Sequence, residues 1–150
     1  MIIVSQKDSR WKWDLIGESY LSIGGWGCLI TSLSMLSDWY GEWKTPKWMA
    51  KNLSFTTGGC LYWTSLNGKM PFNFVYRYYK RDDSKIKSIL YSKDNACVLE
   101  VPYGKYKHWV ALIGFDSKKG YKIADPIDGK IRYLFDKYSA STGFAEIARK

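Results

Sequence analysis

The first half of the chain has the hydrophobic pattern of a helical region. Apolar residues recur every three or four positions between Cys28 and Tyr40, which predicts a helix packed on most of its sides. Gly41 is suited to end this helix, because glycine readily takes the left-handed conformation that follows a helix. Thr45-Pro46 then predicts an N-cap and a first-turn proline. The helices predicted after Gly41 cover residues 45–53, 59–67 and 82–91.

The second half has the pattern of short strands separated by turns. Residues 116–120 have the composition of a hairpin turn. Because helices come first and strands come second, we expect an α+β fold with a mostly antiparallel sheet. The predicted strands cover residues 72–79, 96–101, 107–115, 120–124, 130–135 and 143–148.

The segment before Cys28 is rich in tryptophan and glycine and has no clear period. We expect residues 1–27 to form loops with short extended pieces. Residues 23–27 are expected to be irregular, because three of the four positions from Gly24 to Gly27 are glycine, which disfavours both helix and strand.

The composition is that of a globular domain with an unusual number of large aromatic residues. The chain has 150 residues, of which 46% are hydrophobic, so we expect residues 1–150 to form a single domain with its own core. The eight tryptophans and twelve tyrosines exceed the needs of a core of this size. Some of them are therefore expected to line a groove or a binding surface.

The charge is strongly positive. Lysine and arginine number 23 against 14 acidic residues, which gives a net charge of +9 and favours polyanionic partners such as nucleic acid, anionic lipid or an anionic cell-wall polymer. The alternative is a merely solubilising surface. The basic residues are dispersed and no nucleic-acid motif is present, so we do not expect a nucleic-acid partner.

Cysteine and histidine counts limit the possible stabilising groups. The three cysteines are odd in number and widely spaced, which argues against a disulfide framework. With one histidine and no C-x-x-C motif, we expect no metal site and no cofactor. The first residues do not have the pattern of a signal peptide, and no apolar run approaches the ~20 residues of a membrane span, so no transmembrane segment is expected.

Cys28 is the candidate nucleophile because it begins the strongest predicted helix. The positive end of a helix dipole favours a thiolate over a thiol, and the preceding glycines would let a substrate backbone approach closely. The alternative is an ordinary buried cysteine. Cys60 also follows glycines, but no long helical pattern comes after it, and Cys97 lies in an apolar strand that predicts a core position.

His108 and Asp125 are the candidate partners of the nucleophile. His108 opens an apolar strand and is the sole histidine, so it is the only candidate for an imidazole base. The strand from Gly120 returns antiparallel and ends at Asp125, close to the histidine in the hairpin. Asp128 and Asp116 remain alternatives, and Asp-Pro is also a common turn element.

Gln6 is a candidate donor for an oxyanion hole. A tetrahedral intermediate needs hydrogen-bond donors, and a glutamine side-chain amide could act together with the backbone N–H of the nucleophile. Most glutamines near a terminus are simply solvated.

The candidate residues lie in a series of short segments, namely residues 6–11, 17, 27–35, 40–41, 45–46, 108–114 and 124–126. Together these segments resemble the bacteriocin-processing-peptidase-like family, which belongs to the papain-fold cysteine peptidases. The resemblance implies a helical lobe whose nucleophile helix packs on a sheet. It also implies that Gln6 supplies the oxyanion hole, Cys28 attacks, His108 is the base and Asp125 orients the imidazole.

The expected reaction is amide hydrolysis. A small, cationic, aromatic-rich domain of this kind resembles phage-encoded cell-wall lysins and virion-associated peptidases, which cut peptides of peptidoglycan. Such an enzyme is expected to be in the host cytoplasm before lysis or to be carried on the virion. The alternatives are a protease that processes a leader peptide or a phage structural protein, and a non-catalytic module that binds walls or proteins. Residues assigned to substrate binding are Gly25, Trp26, Gly27 and Trp109.

Overall fold

The computed structural model describes residues 1–150, with three of the four α-helices before the first strand and the fourth between the first and second strands. This order confirms the prediction of an α+β fold. The α-helices are α1 (Ile23–Trp26), α2 (Cys28–Trp39), α3 (Pro46–Asn52) and α4 (Asp83–Tyr91). The strands are β1 (Phe72–Tyr78), β2 (Asn95–Tyr103), β3 (Tyr106–Asp116), β4 (Gly120–Asp125), β5 (Lys130–Tyr133) and β6 (Gly143–Arg149). Two short 3₁₀ helices cover Trp63–Leu66 and Leu134–Asp136.

The six strands form one antiparallel sheet in the order β1-β6-β2-β3-β4-β5. Strands β2 to β5 follow one another as neighbours, whereas the C-terminal strand β6 lies between β1 and β2. Val98 of β2 therefore pairs with Ala111 of β3 on one side and with Ala145 of β6 on the other. The centre of the sheet thus joins segments that are distant in the sequence.

Helix α2 lies on one face of this sheet, against β3. Two of its small polar residues bond to neighbouring segments, which supports close packing. Ser32 Oγ donates to the backbone oxygen of Trp109 at 3.2 Å, and Ser34 Oγ donates to that of Lys44 at 2.6 Å. Gly41 follows the helix with a φ of 91°, which confirms the predicted stop.

The core consists of two apolar clusters that the alternation of β2 assigns to opposite faces of the sheet. Ala96 and Val98 belong to the cluster that includes α2, while Cys97 and Leu99 belong to the cluster that includes α4. Cys97 is buried, as its apolar context predicts. None of the helices is both long enough and apolar enough to cross a membrane.

Two sequence-based predictions of local structure were wrong in part. Residues 23–27 were expected to be irregular, yet Ile23–Trp26 forms one helical turn. Its glycines are held by bonds from outside the turn: Ser22 caps the N–H of Gly25, and Gly24 N–H donates to the Lys12 oxygen at 2.9 Å. These external bonds offset the conformational freedom of glycine.

The second correction concerns the helix predicted over residues 59–67. Only Trp63–Leu66 is helical, as a 3₁₀ turn. Gly59 has a φ of 83°, and Leu61 pairs with Phe55 in an antiparallel bridge, so the start of the segment is a turn followed by extended backbone. These contacts prevent a regular helix from forming there.

Candidate active site

A cleft of about 670 Å³ lies between the start of α2 and the sheet. Its walls come from α1 and the first residues of α2, from the loop around residues 58–61, and from β1, β2 and β3. The candidate catalytic residues that line it are Gln6, Cys28 and His108. The chain thus brings residues 102 positions apart (6 and 108) to one cavity.

Cys28 is the first residue of α2, and its side chain is partly exposed in the cleft. The first-turn N–H groups of a helix have no partner inside the helix, and the helix dipole favours negative charge at this end. Gly27 is buried beneath it: a Cβ there would come within 2.6 Å of the Ile23 oxygen. The short turn α1 can therefore approach the start of α2 closely.

His108 is held by the hairpin of β3 and β4. Ala111 pairs with Ala124, which brings the end of β4 close to the start of β3. His108 Nε2 lies 2.9 Å from Oδ1 of Asp125, and both side chains are buried. This bond leaves Nδ1 as the ring nitrogen that can face Cys28.

The imidazole is held in its charged form by its neighbours. Burial lowers the pKa of His108, but the hydrogen bond with Asp125 and the interaction with the side chain of Cys28 outweigh burial and raise the pKa to about 9. At neutral pH the site therefore holds an imidazolium between a cysteine and a carboxylate.

Asp125 accepts hydrogen bonds from four groups. Beside His108, the N–H of Ile127 donates to Oδ1 at 3.0 Å, while Arg132 and the Tyr138 hydroxyl donate to Oδ2 at 2.6 and 2.5 Å. Burial raises the pKa of this carboxyl, but the bonds from His108, Tyr138 and Ile127 lower it to about 2. Asp125 is therefore ionised and fixed in orientation.

Arg132 and Tyr138 are site residues that the sequence analysis missed. Each reaches Asp125 from a later part of the chain, β5 for Arg132 and the segment after the second 3₁₀ helix for Tyr138. The one local sequence signal for Arg132 is its i, i+4 spacing from Asp128. The two side chains form an ion pair with an N–O distance of 2.5 Å.

The alternative carboxylates lie elsewhere. Asp128 pairs with Arg132, and Asp116 accepts hydrogen bonds from the N–H groups of Lys118 and Lys119 in the β3–β4 turn. Of the three carboxylates, Asp125 is the one that accepts a hydrogen bond from the imidazole. The expected Asp125 is thus the carboxylate that contacts His108.

Gln6 is buried at the side of the cleft. Its backbone N–H donates to the Pro126 oxygen at 2.7 Å, and its Nε2 donates to the Gly24 oxygen at 3.2 Å. Since a side-chain amide has two N–H donors, one remains for a ligand. The side-chain Oε1 is buried without a partner, so the amide group has unused hydrogen-bonding capacity in this region.

Three of the four residues assigned to substrate binding line the cleft, namely Gly25, Trp26 and Trp109. Gly27 does not, because its Cα is covered by Ile23. Trp26 packs edge-to-face against Tyr106 of β3, with ring centres 5.3 Å apart. An aromatic pair therefore links the helical side of the cleft to the sheet side.

Cys60 lines the same cleft from the loop opposite the sheet. It is exposed, whereas Cys28 is partly buried and is the cysteine whose side chain raises the pKa of His108. Cys28 therefore lies at a helix N-terminus, in the same cleft as His108 and Gln6, which is the environment that suits a cysteine nucleophile.

A cysteine, a histidine and a carboxylate are the groups that covalent acyl transfer uses. No group of three or more histidine, cysteine, aspartate or glutamate side chains is arranged to hold a metal ion. In comparisons with known proteins, no protein-family model and no curated protein matches the chain.

Proposed function

We propose that the protein is a cysteine peptidase that hydrolyses amide bonds with Cys28 as nucleophile, His108 as acid and base, and Asp125 as the residue that orients the imidazole. The observation that carries this proposal is the bond of 2.9 Å between His108 and the buried Asp125, with His108 and Cys28 both at the wall of one open cleft. Nucleophile, base and orienting carboxylate in this order are the parts that covalent acyl transfer needs.

In the first half of the reaction, the Cys28 sulfur attacks the carbonyl carbon of the scissile amide. The oxygen becomes an oxyanion, for which the free N–H of the Gln6 amide and the backbone N–H of Cys28 are the available donors. When the C–N bond breaks, the imidazolium of His108 gives its proton to the leaving amine. The products of this half are a free amine and a thioester on Cys28.

In the second half, a water molecule attacks the thioester carbonyl. His108 is now neutral and takes a proton from the water, while Asp125 stabilises the imidazolium that forms. The C–S bond then breaks, which releases a carboxylic acid and restores the thiolate and the imidazolium.

A papain-like fold is part of the proposal. Two features support it: the nucleophile begins a helix that packs on an antiparallel sheet, and the histidine begins a strand of that sheet. The cleft then lies between a helical part and a sheet part, as in the family that the sequence resembles.

We further propose that the substrate is a peptide of the bacterial cell wall. The net charge of +9 favours an anionic polymer. The aromatic side chains at the cleft, among them Trp26, Tyr79, Tyr103 and Tyr106, provide flat apolar surfaces on which sugar rings can stack. A phage-type lysin or a virion-associated wall hydrolase fits both features.

The test is mass spectrometry of soluble fragments released from purified peptidoglycans. Wild-type protein is compared with Cys28→Ala, and Cys60→Ala is the matched control because Cys60 lines the same cleft. We expect release by the wild type and by Cys60→Ala but not by Cys28→Ala, with new amino termini that identify the bond cut.

The other outcomes separate the alternatives. Equal release by the Cys28→Ala variant would overturn the assignment of the nucleophile. If no wall is cut but a peptide library is cleaved in a Cys28-dependent way, the substrate is a protein segment such as a leader. Binding to walls or peptides without cleavage of either would identify a non-catalytic module.

A further inference from the structure

Arg77 occupies an unusual position for a residue of the edge strand β1. Its guanidinium reaches across β6 to β2, where Nη2 lies 2.7 Å from Oε2 of Glu100. Its Nη1 donates to the backbone oxygen of Tyr78. The side chain is only 12% exposed, and Arg77 is one of the residues that line the cleft that contains Cys28.

Strand β6, which lies between β1 and β2, leaves space for the side chain of Arg77. The residue of β6 that pairs with Glu100 is Gly143, and the residue that pairs with Arg77 is Ala145. A Cβ on Gly143 would lie 2.7 Å from Nη1 of Arg77. The absence of a side chain at this position therefore makes room for the guanidinium, which is held within the sheet face rather than free at the surface.

Aromatic rings fix the guanidinium further. Its central carbon lies 4.3 Å from the ring centre of Tyr79 and 4.7 Å from that of Trp109. These two rings pack against the guanidinium, which leaves its N–H edge as the part suited to a polar ligand. The two bonds to Tyr78 and Glu100 use two of the five N–H groups. Three donors remain.

The charge balance of the cleft indicates what this edge would bind. Apart from His108, whose charge is paired with Asp125, the cleft is lined by two cationic side chains, Arg77 and Lys107, and one acidic side chain, Glu100. Both oxygens of Glu100 already accept hydrogen bonds, one from Arg77 and one from the Thr142 hydroxyl at 2.9 Å. Among the charged side chains of the cleft, the unused hydrogen-bonding capacity therefore belongs to the cations, and the planar edge of the Arg77 guanidinium matches a carboxylate.

We propose that Arg77 forms a subsite for a free carboxylate on the substrate peptide, near the bond that Cys28 attacks. The inference rests on the proposed peptidase function and adds to it the substrate class: an acidic peptide rather than its amidated form. Glu100, Tyr79 and Trp109 hold the guanidinium in place, and Gly143 leaves space for it.

The test uses a matched pair of synthetic glutamyl wall-stem peptides that differ only in one carboxylate, which is free in one and a carboxamide in the other. Affinity is measured by calorimetry on Cys28→Ala, which does not turn substrate over, and kcat/KM is measured on the wild type. We expect the free acid to be preferred about tenfold or more in both, because a charge-assisted pair replaces a neutral contact.

Substitutions then assign the preference to Arg77. In Arg77→Gln the ratio of the two kcat/KM values is expected to fall towards one. Lys107→Gln is the control for a mere loss of positive charge in the cleft, and it is expected to keep the preference for the acid. Arg77→Lys keeps the charge but not the planar edge, so it is expected to recover only part of the ratio.

The failure of this inference differs from the failure of the proposed function. Equal or undetectable affinity for the two peptides, or an equal loss of preference in Lys107→Gln, overturns the carboxylate subsite. Absence of Cys28-dependent cleavage by the wild type overturns the peptidase function, and in that case the calorimetric preference and its dependence on Arg77 still decide the subsite. Thermal melting of each variant shows whether it is folded.

Discussion

The hydroxyl of Tyr138 donates a hydrogen bond of 2.5 Å to Oδ2 of Asp125, the oxygen that does not face the histidine. Both side chains are buried. The bond fixes the rotation of the carboxylate, so that Oδ1 points to Nε2 of His108. Because the tyrosine acts on the imidazole only through Asp125, we regard it as a positioning residue.

The first prediction concerns Tyr138→Phe. Loss of a hydrogen bond to a buried charged group is expected to cost about 1.5–3 kcal/mol of unfolding free energy. The pKa of Asp125 is expected to rise, since the bond from Tyr138 lowers it now. We expect kcat to fall while KM changes little. Denaturant unfolding and steady-state kinetics measure these effects.

The control for this variant is Tyr133→Phe, because the Tyr133 hydroxyl is not among the groups that bond Asp125. It is expected to keep both stability and kcat. An unchanged kcat in Tyr138→Phe, at a pH where the control is fully active, would show that the bond does not position the carboxylate for catalysis.

The second prediction concerns the charge of His108, which is the only histidine in the chain and so gives unambiguous imidazole signals in NMR. We expect its titration midpoint at about 9. Asp125→Asn and Cys28→Ala are each expected to lower the midpoint, because burial alone favours the neutral ring and each partner opposes burial. A wild-type midpoint at or below 6.5 would contradict the assigned hydrogen bonds.

The third prediction is the pH dependence of stability that follows from these shifts. A raised pKa in the folded state means that the contribution of His108 is complete below 6.5 and is lost as the pH rises towards about 9. A lowered pKa means that the contribution of Asp125 is present above 3.8 and is lost as the pH falls towards about 2. We expect the advantage in thermal midpoint of wild type over His108→Asn to shrink between pH 6.5 and 9.

The contact between His108 and Asp125 could be predicted from the sequence because it is nearly local. The turn at 116–120 was evident in the composition, and counting back along its two strands brought Asp125 close to His108. A bulge between Leu112 and Gly114 shifts the pairing by one residue, which that count tolerates. Helix α2 was predicted equally well, since its period and its glycine stop are both local signals.

What the sequence could not give depends on contacts between distant segments. The position of β6 between β1 and β2 is not marked by any local pattern, and without it nothing relates Arg77 to Glu100. The same holds for Tyr138, which reaches Asp125 from an irregular segment. The helical turn Ile23–Trp26 could not be predicted, because its glycines disfavour a helix. The hydrogen bonds that hold it come from outside the turn and exist only in the folded chain.

The fourth prediction concerns Gln6 as an oxyanion donor. Removal of one such donor typically lowers kcat about 10²–10³-fold, and we expect this of Gln6→Ala with little change in KM. Gln6→Glu keeps the size but replaces the amide donor with a carboxylate, so it is expected to be at least as impaired. The backbone bond from Gln6 to Pro126 is present in both variants, so the loop stays attached to the end of β4.

Single-turnover kinetics separates this role from substrate binding. Formation of the thioester is expected to slow by the same factor as kcat, because the donor acts on the tetrahedral intermediate. A rise in KM at constant kcat would instead mean that Gln6 only contacts bound substrate.

The last prediction concerns Gly27, whose Cα is covered by α1. A Cβ at this position would meet the oxygen, Cγ2 and Cα of Ile23 at 2.6, 2.7 and 2.9 Å, so α1 and the start of α2 must move apart in Gly27→Ala. Overpacking of this kind typically costs about 1–3 kcal/mol of stability. Because Cys28 is the next residue, the same movement shifts its sulfur relative to His108.

Gly27→Ala is therefore expected to lose activity beyond its loss of stability, and its Cys28 is expected to react more slowly with an alkylating agent at neutral pH. Gly114→Ala is the matched control, because a Cβ there meets Lys122 at an ordinary 3.5 Å. Alkylation measured by mass spectrometry distinguishes Cys28 from Cys60 in both variants. If Gly27→Ala is destabilised but alkylates at the wild-type rate, the close approach of α1 supports the fold without setting the position of the nucleophile.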